Sequence, residues 1–175
     1  MDTVITFGDI KTPIGRVRAV MTPRGLGYLS LPSEPAGECE KWLNRWFPRA
    51  DQVWDDKPFQ ELQAQLTGYF AGELRQFNLP LDLRGTPFQL QVWRALQSLE
   101  YGKVCSYAQI AAAIGRPKAV RAVGGANGAN PVPIIVPCHR VIASDGTLGG
   151  YSSGLEMKRS LLKLEGVSGL KGIAI

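Results

Sequence analysis

Histidine occurs once in the 175 residues, as His139, and the three cysteines Cys39, Cys105 and Cys138 form no close pair. Structural zinc sites draw four Cys or His ligands from short spacings, so neither a metal nor another cofactor is expected. The same sparse cysteines argue against a disulfide scaffold and for reduced thiols in the cytoplasm. No apolar run approaches the length needed to cross a bilayer, and Asp2 precedes any signal-like apolar block. A membrane partner is therefore not expected. Internal repeats and low-complexity tracts are missing too, and nothing points to an obligate protein partner.

What is present is an ordinary globular composition, 45% hydrophobic and 20% charged, sufficient for one core or two small ones. Its charge is uneven. Residues 1–85 carry ten Lys/Arg against eleven Asp/Glu, whereas residues 86–175 carry ten against four acids, Glu100, Asp145, Glu156 and Glu165. All of the +5 excess thus sits in the second half. Such asymmetry suits a polyanion such as nucleic acid; a solvated basic surface is the plainer alternative, and charge alone does not separate them.

The expected fold is α+β. A small N-terminal α/β domain with a short β-sheet spans 1–80. A mostly helical, winged-helix-like domain with a helix-turn-helix follows over 86–166, and a tail, 167–175, has no readable role. Strands are expected at 4–7, 17–20 and 26–29, between Pro/Gly turns, and helices at 38–46 and 58–70. The stretch 78–85, with Pro80 and Gly85, reads as a linker. Thr86-Pro87 starts a helix striped by Phe88, Val92, Leu96 and Leu99. Ser106 caps a short helix that Gly115 ends, and Pro117 opens another. That last helix carries Gly124, Gly125, Ala126, Gly128 and Ala129. Glycine costs about 1 kcal/mol relative to alanine in a helix, so several together need a reason. Either a partner's backbone comes close or another helix packs tightly. Arg121 beside them reaches a duplex or pairs with a carboxylate.

Ile134-Ile135-Val136 reads as a buried strand or an extended apolar segment that delivers Pro137-Cys138-His139-Arg140. A lone cysteine beside apolar residues is commonly an inert core residue. Here an imidazole and a guanidinium follow at once, and cationic neighbours lower a thiol pKa toward the reactive thiolate. Glu165 is a candidate third group to orient His139. Cys39 and Cys105 have no comparable setting.

The run from Asn130 through Cys138-His139-Arg140 to Ile142 resembles the active-site signature of the O6-alkylguanine-DNA alkyltransferases, and the order continues around it. Arg121-Ala122-Val123-Gly124 resembles the start of their DNA-reading helix and Ser106-Tyr107 their tyrosine segment. Gly150-Tyr151 to Gly154-Leu155, with Lys158 and Leu161-Leu162, is similar to their substrate loop and last helix. The match spans about residues 86–166. It implies single-turnover direct repair of double-stranded DNA. Cys138 takes the alkyl group from O6-alkylguanine, with O4-alkylthymine left open, and keeps it. His139, through a water, takes the thiol proton, and Glu165 orients the imidazole. Tyr107 protonates the leaving base and Asn130 acts as a hinge. Pro133 and Tyr151 line the base pocket, the Ser152 amide bonds O6, and carbonyls near Cys138 and Val141 read the exocyclic amine. The resemblance puts Arg121 into the gap left by a flipped base and Ala122, Gly124, Gly125, Ala126 and Asn127 against DNA. Ser153 departs from the pattern, standing where glycine is common, which bears on the alkyl size tolerated. The small helix residues look bacterial in type. Two rivals remain at this point: a lesion-binding sensor, opposed by the presence of Cys138, and a thiol hydrolase, opposed by a histidine adjacent to the cysteine rather than far along the chain.

Overall fold

The computed structural model describes residues 3–171; Asp2 and the tail residues 172–175, with the expectations placed on them, lie outside. Backbone contacts divide the chain into two compact units, Met1–Arg84 and Gly85–Ile175. No helix among the described residues is long and apolar enough to cross a membrane.

The first unit is a four-stranded sheet with a helix on each face. Strands β1 (Val4–Thr12), β2 (Gly15–Thr22) and β3 (Gly25–Ser30) form an antiparallel meander, and β4 (Asp51–Trp54) returns parallel to β1, giving the order β3-β2-β1-β4. The crossover is helix α1 (Glu38–Trp46), which buries Cys39, Trp42 and Leu43 on Ile5, Phe7, Val20 and Tyr28. On the other face, before helix α2 (Gln60–Phe70), the Phe59 ring lies over Gly8, where a Cβ would come within 2.3 Å of it. β4 was not foreseen. Its four residues are all exposed and show no apolar alternation, and it exists because Val4–Phe7 pairs with it residue for residue.

The stretch 78–85 is not the free linker expected. Leu26 N–H donates to Pro80 O and Asp82 N–H to Leu26 O, both at 2.9 Å. Buried Asp82 accepts from Thr22 Oγ1 at 2.8 Å and from Arg84 at 2.9 Å. Gly25, at φ 140°, permits the approach, since a Cβ there would sit 2.4 Å from the Pro80 oxygen. Proline and glycine mark a break in regular structure, and here that break is a strap fastened along a sheet edge.

In the second unit the start signals hold. Thr86 and Ser106 each form a reciprocal capping box, with Gln89 and Gln109, at the heads of α3 (Pro87–Gln97) and α4 (Tyr107–Ala113). Gly115, at φ 73°, ends α4. Helix α5 (Val120–Gly128) begins three residues later than its proline suggested, after a turn closed by Ala119 N–H on Arg116 O at 2.9 Å. α4 and α5 form the helix-turn-helix, and the Trp93 indole of α3 pins α5 by donating to Ala126 O at 2.8 Å. A two-stranded parallel pair, β5 (Cys105–Ser106) and β6 (Val141–Ile142), and helix α6 (Leu155–Leu164) complete it. The described part of the tail is packed: Val167 and Leu170 lie on Leu148 and Leu162.

Candidate active site

Every residue from 131 to 140 is buried. The stretch Ile134–Val136 is buried as expected but is a turn, not a strand, because Ile134 takes φ 74°. A β-branched residue is strained there and needs its surroundings to hold it. Asn130 supplies the clamp, accepting from Val132 N–H at 3.0 Å and donating to Val136 O at 2.8 Å. The chain then enters a single 3-10 turn, Cys138–Arg140, with Cys138 N–H on Val136 O at 2.8 Å.

That turn aims three side chains differently. His139 Nε2 lies 2.7 Å from Glu165 Oε1, the two side chains fully enclosed. Arg140 does not stand beside the thiol as a cation, as its sequence position suggested. It grips the same carboxylate, from Nε to Oε2 at 2.9 Å and from a terminal nitrogen to Oε1 at 3.0 Å, and reaches Leu99 O at 2.5 Å. Burial raises the Glu165 carboxyl, but bonds from His139 and Arg140 outweigh it and hold the group at about 2. At neutral pH Glu165 is therefore a carboxylate and can only accept, so His139 carries its proton on Nε2. Burial also lowers the His139 pKa. The result is a neutral imidazole whose Nδ1, buried and without a hydrogen-bond partner among the described residues, is free to take a proton.

Cys138 is 2% exposed. Burial pushes its thiol up, more than hydrogen bonds from Asn130 and Tyr151 and the Lys158 charge pull it down. The lowering expected from cationic neighbours is thus outweighed by enclosure. The sulfur rests as a thiol, and it can act as a nucleophile only once its proton has gone. Burial likewise keeps the Tyr107 phenol protonated. The phenol donates to Gly150 O at 3.3 Å, and Gly149 is obligatory beneath it, since a Cβ would lie 2.9 Å from the ring. Pro133 and Val141 are buried, Tyr151 is half-buried, Ser152 is exposed and Ser153 is buried at the turn closed by Gly154 N–H on Tyr151 O. Lys158, singled out only within a motif, proves fully buried, its Nζ on the carbonyls of Val141, Leu148 and Gly150 at 2.6, 2.5 and 3.2 Å. Cys39 is held by burial and nearby Glu40 and Glu34 at about 12, and all three cysteines are free.

Helix α5 has two faces. Arg121, Ala122, Gly125, Gly128 and Ala129 are exposed, while Gly124 is half-buried. Ala126 and Asn127, expected on the outer face, are each 4% exposed and point inward. The reason is helical period: both follow Val123 by three and four residues on its buried stripe. Asn127 Nδ2 donates to Cys138 O at 3.3 Å. A Cβ at Gly125 or Gly128 would meet nothing within 4 Å outside its own helix among the described residues, so no packing there demands these glycines. Arg121 has no hydrogen bond or ion pair among the described residues. Exposed Arg116 and Lys118 extend the basic face before it.

Residues 5–83 match the family described as 6-O-methylguanine DNA methyltransferase, ribonuclease-like domain, and residues 87–167 match its DNA-binding domain. A methylated-DNA–protein-cysteine methyltransferase of Mycobacterium tuberculosis is 55% identical over 167 residues, covering 93% of each chain. One from Methanosarcina acetivorans is 54% identical over 162 residues, covering 91% of this chain and 97% of its own. Among solved structures, the Mycobacterium tuberculosis OGT in complex with DNA superimposes with a TM-score of 0.80 at 42% identity, covering 91% of this chain and 92% of that one. The O6-methylguanine-DNA methyltransferase of Pyrococcus kodakaraensis gives 0.64 at 28%, covering 94% and 100%.

Proposed function

This chain belongs to the methylated-DNA–protein-cysteine methyltransferase family, whose bacterial and archaeal members it resembles along nearly its whole length, and from that premise we propose that Cys138 is the acceptor and His139, Glu165 and Tyr107 its working partners. Its activity is direct reversal of DNA damage, the alkyl group on guanine O6 passing to a cysteine of the protein. The observation that carries the assignment is the buried series Glu165–His139 beside a buried thiol, with Nδ1 of the imidazole open.

In the proposed step the Cys138 sulfur attacks the alkyl carbon, an S–C bond forms and the O6–C bond breaks. The thiol proton passes to His139 Nδ1, through a water, and Glu165 stabilises the imidazolium. Tyr107 gives its proton to the departing guanine, whose charge would otherwise develop uncompensated. The resulting thioether has no route back, so each molecule acts once. Pro133 and Tyr151 flank the base, the Ser152 amide meets O6, Ser153 bounds the space for the alkyl group, and the carbonyls of Cys138 and Val141 accept from the exocyclic amine.

The target carbon is inaccessible inside a duplex, so the nucleotide turns out of the stack. The outer face of α5, Arg121, Ala122 and Gly125 with Gly124 at its margin, lies in the minor groove, and Arg121 fills the gap. Glycines that nothing inside the protein requires support this reading. Asn130 joins α5 to the active-site turn as the hinge. We assign the protein to the cytoplasm, on its free cysteines.

The test is a single-turnover reaction with an oligonucleotide carrying O6-methylguanine, read by intact mass and peptide mapping. One methyl on Cys138, absent in Cys138→Ser, is expected; a second turnover, or methyl elsewhere, overturns the assignment.

A further inference from the structure

Two buried polar side chains that take no part in the transfer step end on the two carbonyls assigned above to the guanine amine. Asn127, on the inner face of α5, donates from Nδ2 to Cys138 O at 3.3 Å. Lys158, on α6, donates from Nζ to Val141 O at 2.6 Å and also holds Leu148 O and Gly150 O. Neither residue is explained by stability. Asn127 shares its stripe with Val123 and Ala126, and its Oδ1 is buried without a hydrogen-bond partner among the described residues. An apolar residue of that size would avoid the orphaned acceptor. Lys158 is a fully buried ammonium without a carboxylate bonded to it among the described residues, and burial pushes it down to about 8.

A carbonyl oxygen has two lone pairs. A side-chain donor fixed on one sets the direction of the other and leaves it for a substrate N–H. The two carbonyls lie three residues apart, Cys138 opening the 3-10 turn and Val141 opening β6 directly after it, and an exocyclic amine presents two N–H donors. One side chain approaches that turn from α5, the other from α6, so each carbonyl is held from a different element.

We infer that Asn127 and Lys158 are specificity-determining positioning residues, which orient the Cys138 and Val141 carbonyls so that both accept from the 2-amino group of the flipped guanine. The inference rests on the base-reading role given to those carbonyls above. Asn127 thereby gives α5 two tasks, DNA on its outer face and the base on its inner one. The three carbonyls on Lys158 join the same reading edge to the loop at 148–150 that supports Tyr107.

The test compares O6-benzylguanine with 6-benzyloxypurine, which lacks the amine, as free-base probes of the full-length protein. Rates of Cys138 benzylation are read by intact mass, and the ratio of the two rates cancels any change in the thiol itself or in the amount of folded protein. Wild type is expected to prefer the guanine compound by at least about tenfold, as a site built to hydrogen-bond its substrate does. Asn127→Leu and Lys158→Met should each lower that preference about fivefold, the worth of one net hydrogen bond. Asn127→Gln, which keeps an amide, should retain more of it than Asn127→Leu. Asn127→Leu is close to isosteric and decides the matter alone should Lys158→Met fail to fold. A wild-type preference unchanged by Asn127→Leu overturns the inference while leaving the carbonyl assignment standing. A wild type without preference that still alkylates Cys138 overturns the carbonyl assignment and the inference together. Absence of any Cys138 adduct overturns the proposed function itself.

Discussion

Glu165 shows how much one residue can be asked to do. It accepts from His139 and twice from Arg140 while 5% exposed, a buried charge whose cost is met by its partners. Removing it by Glu165→Gln should cost about 3 kcal/mol or more of stability, because Arg140 is left buried and unpaired. The same change should slow alkyl transfer by about 10²-fold, since His139 loses the group that sets its tautomer. Denaturant titration and single-turnover kinetics check the two. The acid limb has a definite sign. Folded Glu165 sits at about 2, below its unfolded value of about 4.3. Its contribution is therefore complete above about pH 5 and is lost as pH falls toward 2. Denaturation midpoints across that window should decline in wild type and decline less in Glu165→Gln; identical slopes would count against a depressed carboxyl. The His139–Glu165 pair was named from the sequence; the part Arg140 plays in it was not. His139 and Glu165 are joined across α6, and Arg140, next to the cysteine in sequence, turns out to serve the carboxylate instead.

At the scale of elements, the helix heads were the most readable features, because capping is local chemistry within four residues. Thr86-Gln89 and Ser106-Gln109 each satisfy two otherwise orphaned backbone donors. Ser106→Ala should cost about 1 kcal/mol and should loosen Tyr107, the first residue of α4, which thermal melts and the transfer rate would register. Helix α5 was readable in composition and only partly in orientation. Its glycines stood out, but the inward turn of Ala126 and Asn127 needed the neighbouring helix to define a core. Gly125→Ala should stabilise the fold by up to about 1 kcal/mol. Gly125→Leu should also fold, because a Cβ there meets nothing within 4 Å outside its own helix among the described residues, yet repair of duplex DNA should fall several-fold while reaction with O6-benzylguanine stays the same. Equal losses on both substrates would remove the outer face of α5 from the DNA-binding account. The turn at Ile134 was misread as a strand or extended segment because a β-branched apolar run carries no local sign of a positive φ; Asn130, reaching across six residues, imposes it.

For the whole molecule, the placement of charge matters more than its total. The acids of the first half compensate its bases, and residues 86–175 hold ten cations against four acids, two of the cations, Arg140 and Lys158, being buried. The exposed remainder, with Arg116, Lys118 and Arg121 at the helix-turn-helix, is what a polyanion meets. Binding to undamaged duplex should weaken with a linear fall of log affinity against log salt, measurable by fluorescence anisotropy. Arg121→Ala should reduce repair of duplex substrate at least about tenfold while sparing the free base, since only the duplex requires a base to be turned out.

By itself the sequence determined the two-part α+β order, the capped helix starts, the basic second half and the family, because these depend on local pairs, periodicity and an ordered run of motifs. Tertiary structure decided the rest. It made Cys138 a buried thiol rather than a thiolate, since enclosure outweighs neighbouring donors, and it spent Arg140 on Glu165. It turned the stretch at 78–85 from linker to strap and revealed β4, whose only reason to be a strand is the edge of β1. It also split the small-residue helix into an outer face free of internal demands and an inner face that ends, through Asn127, on the carbonyl of Cys138. Each of these depends on which distant groups share a desolvated space, and no window of sequence contains that information.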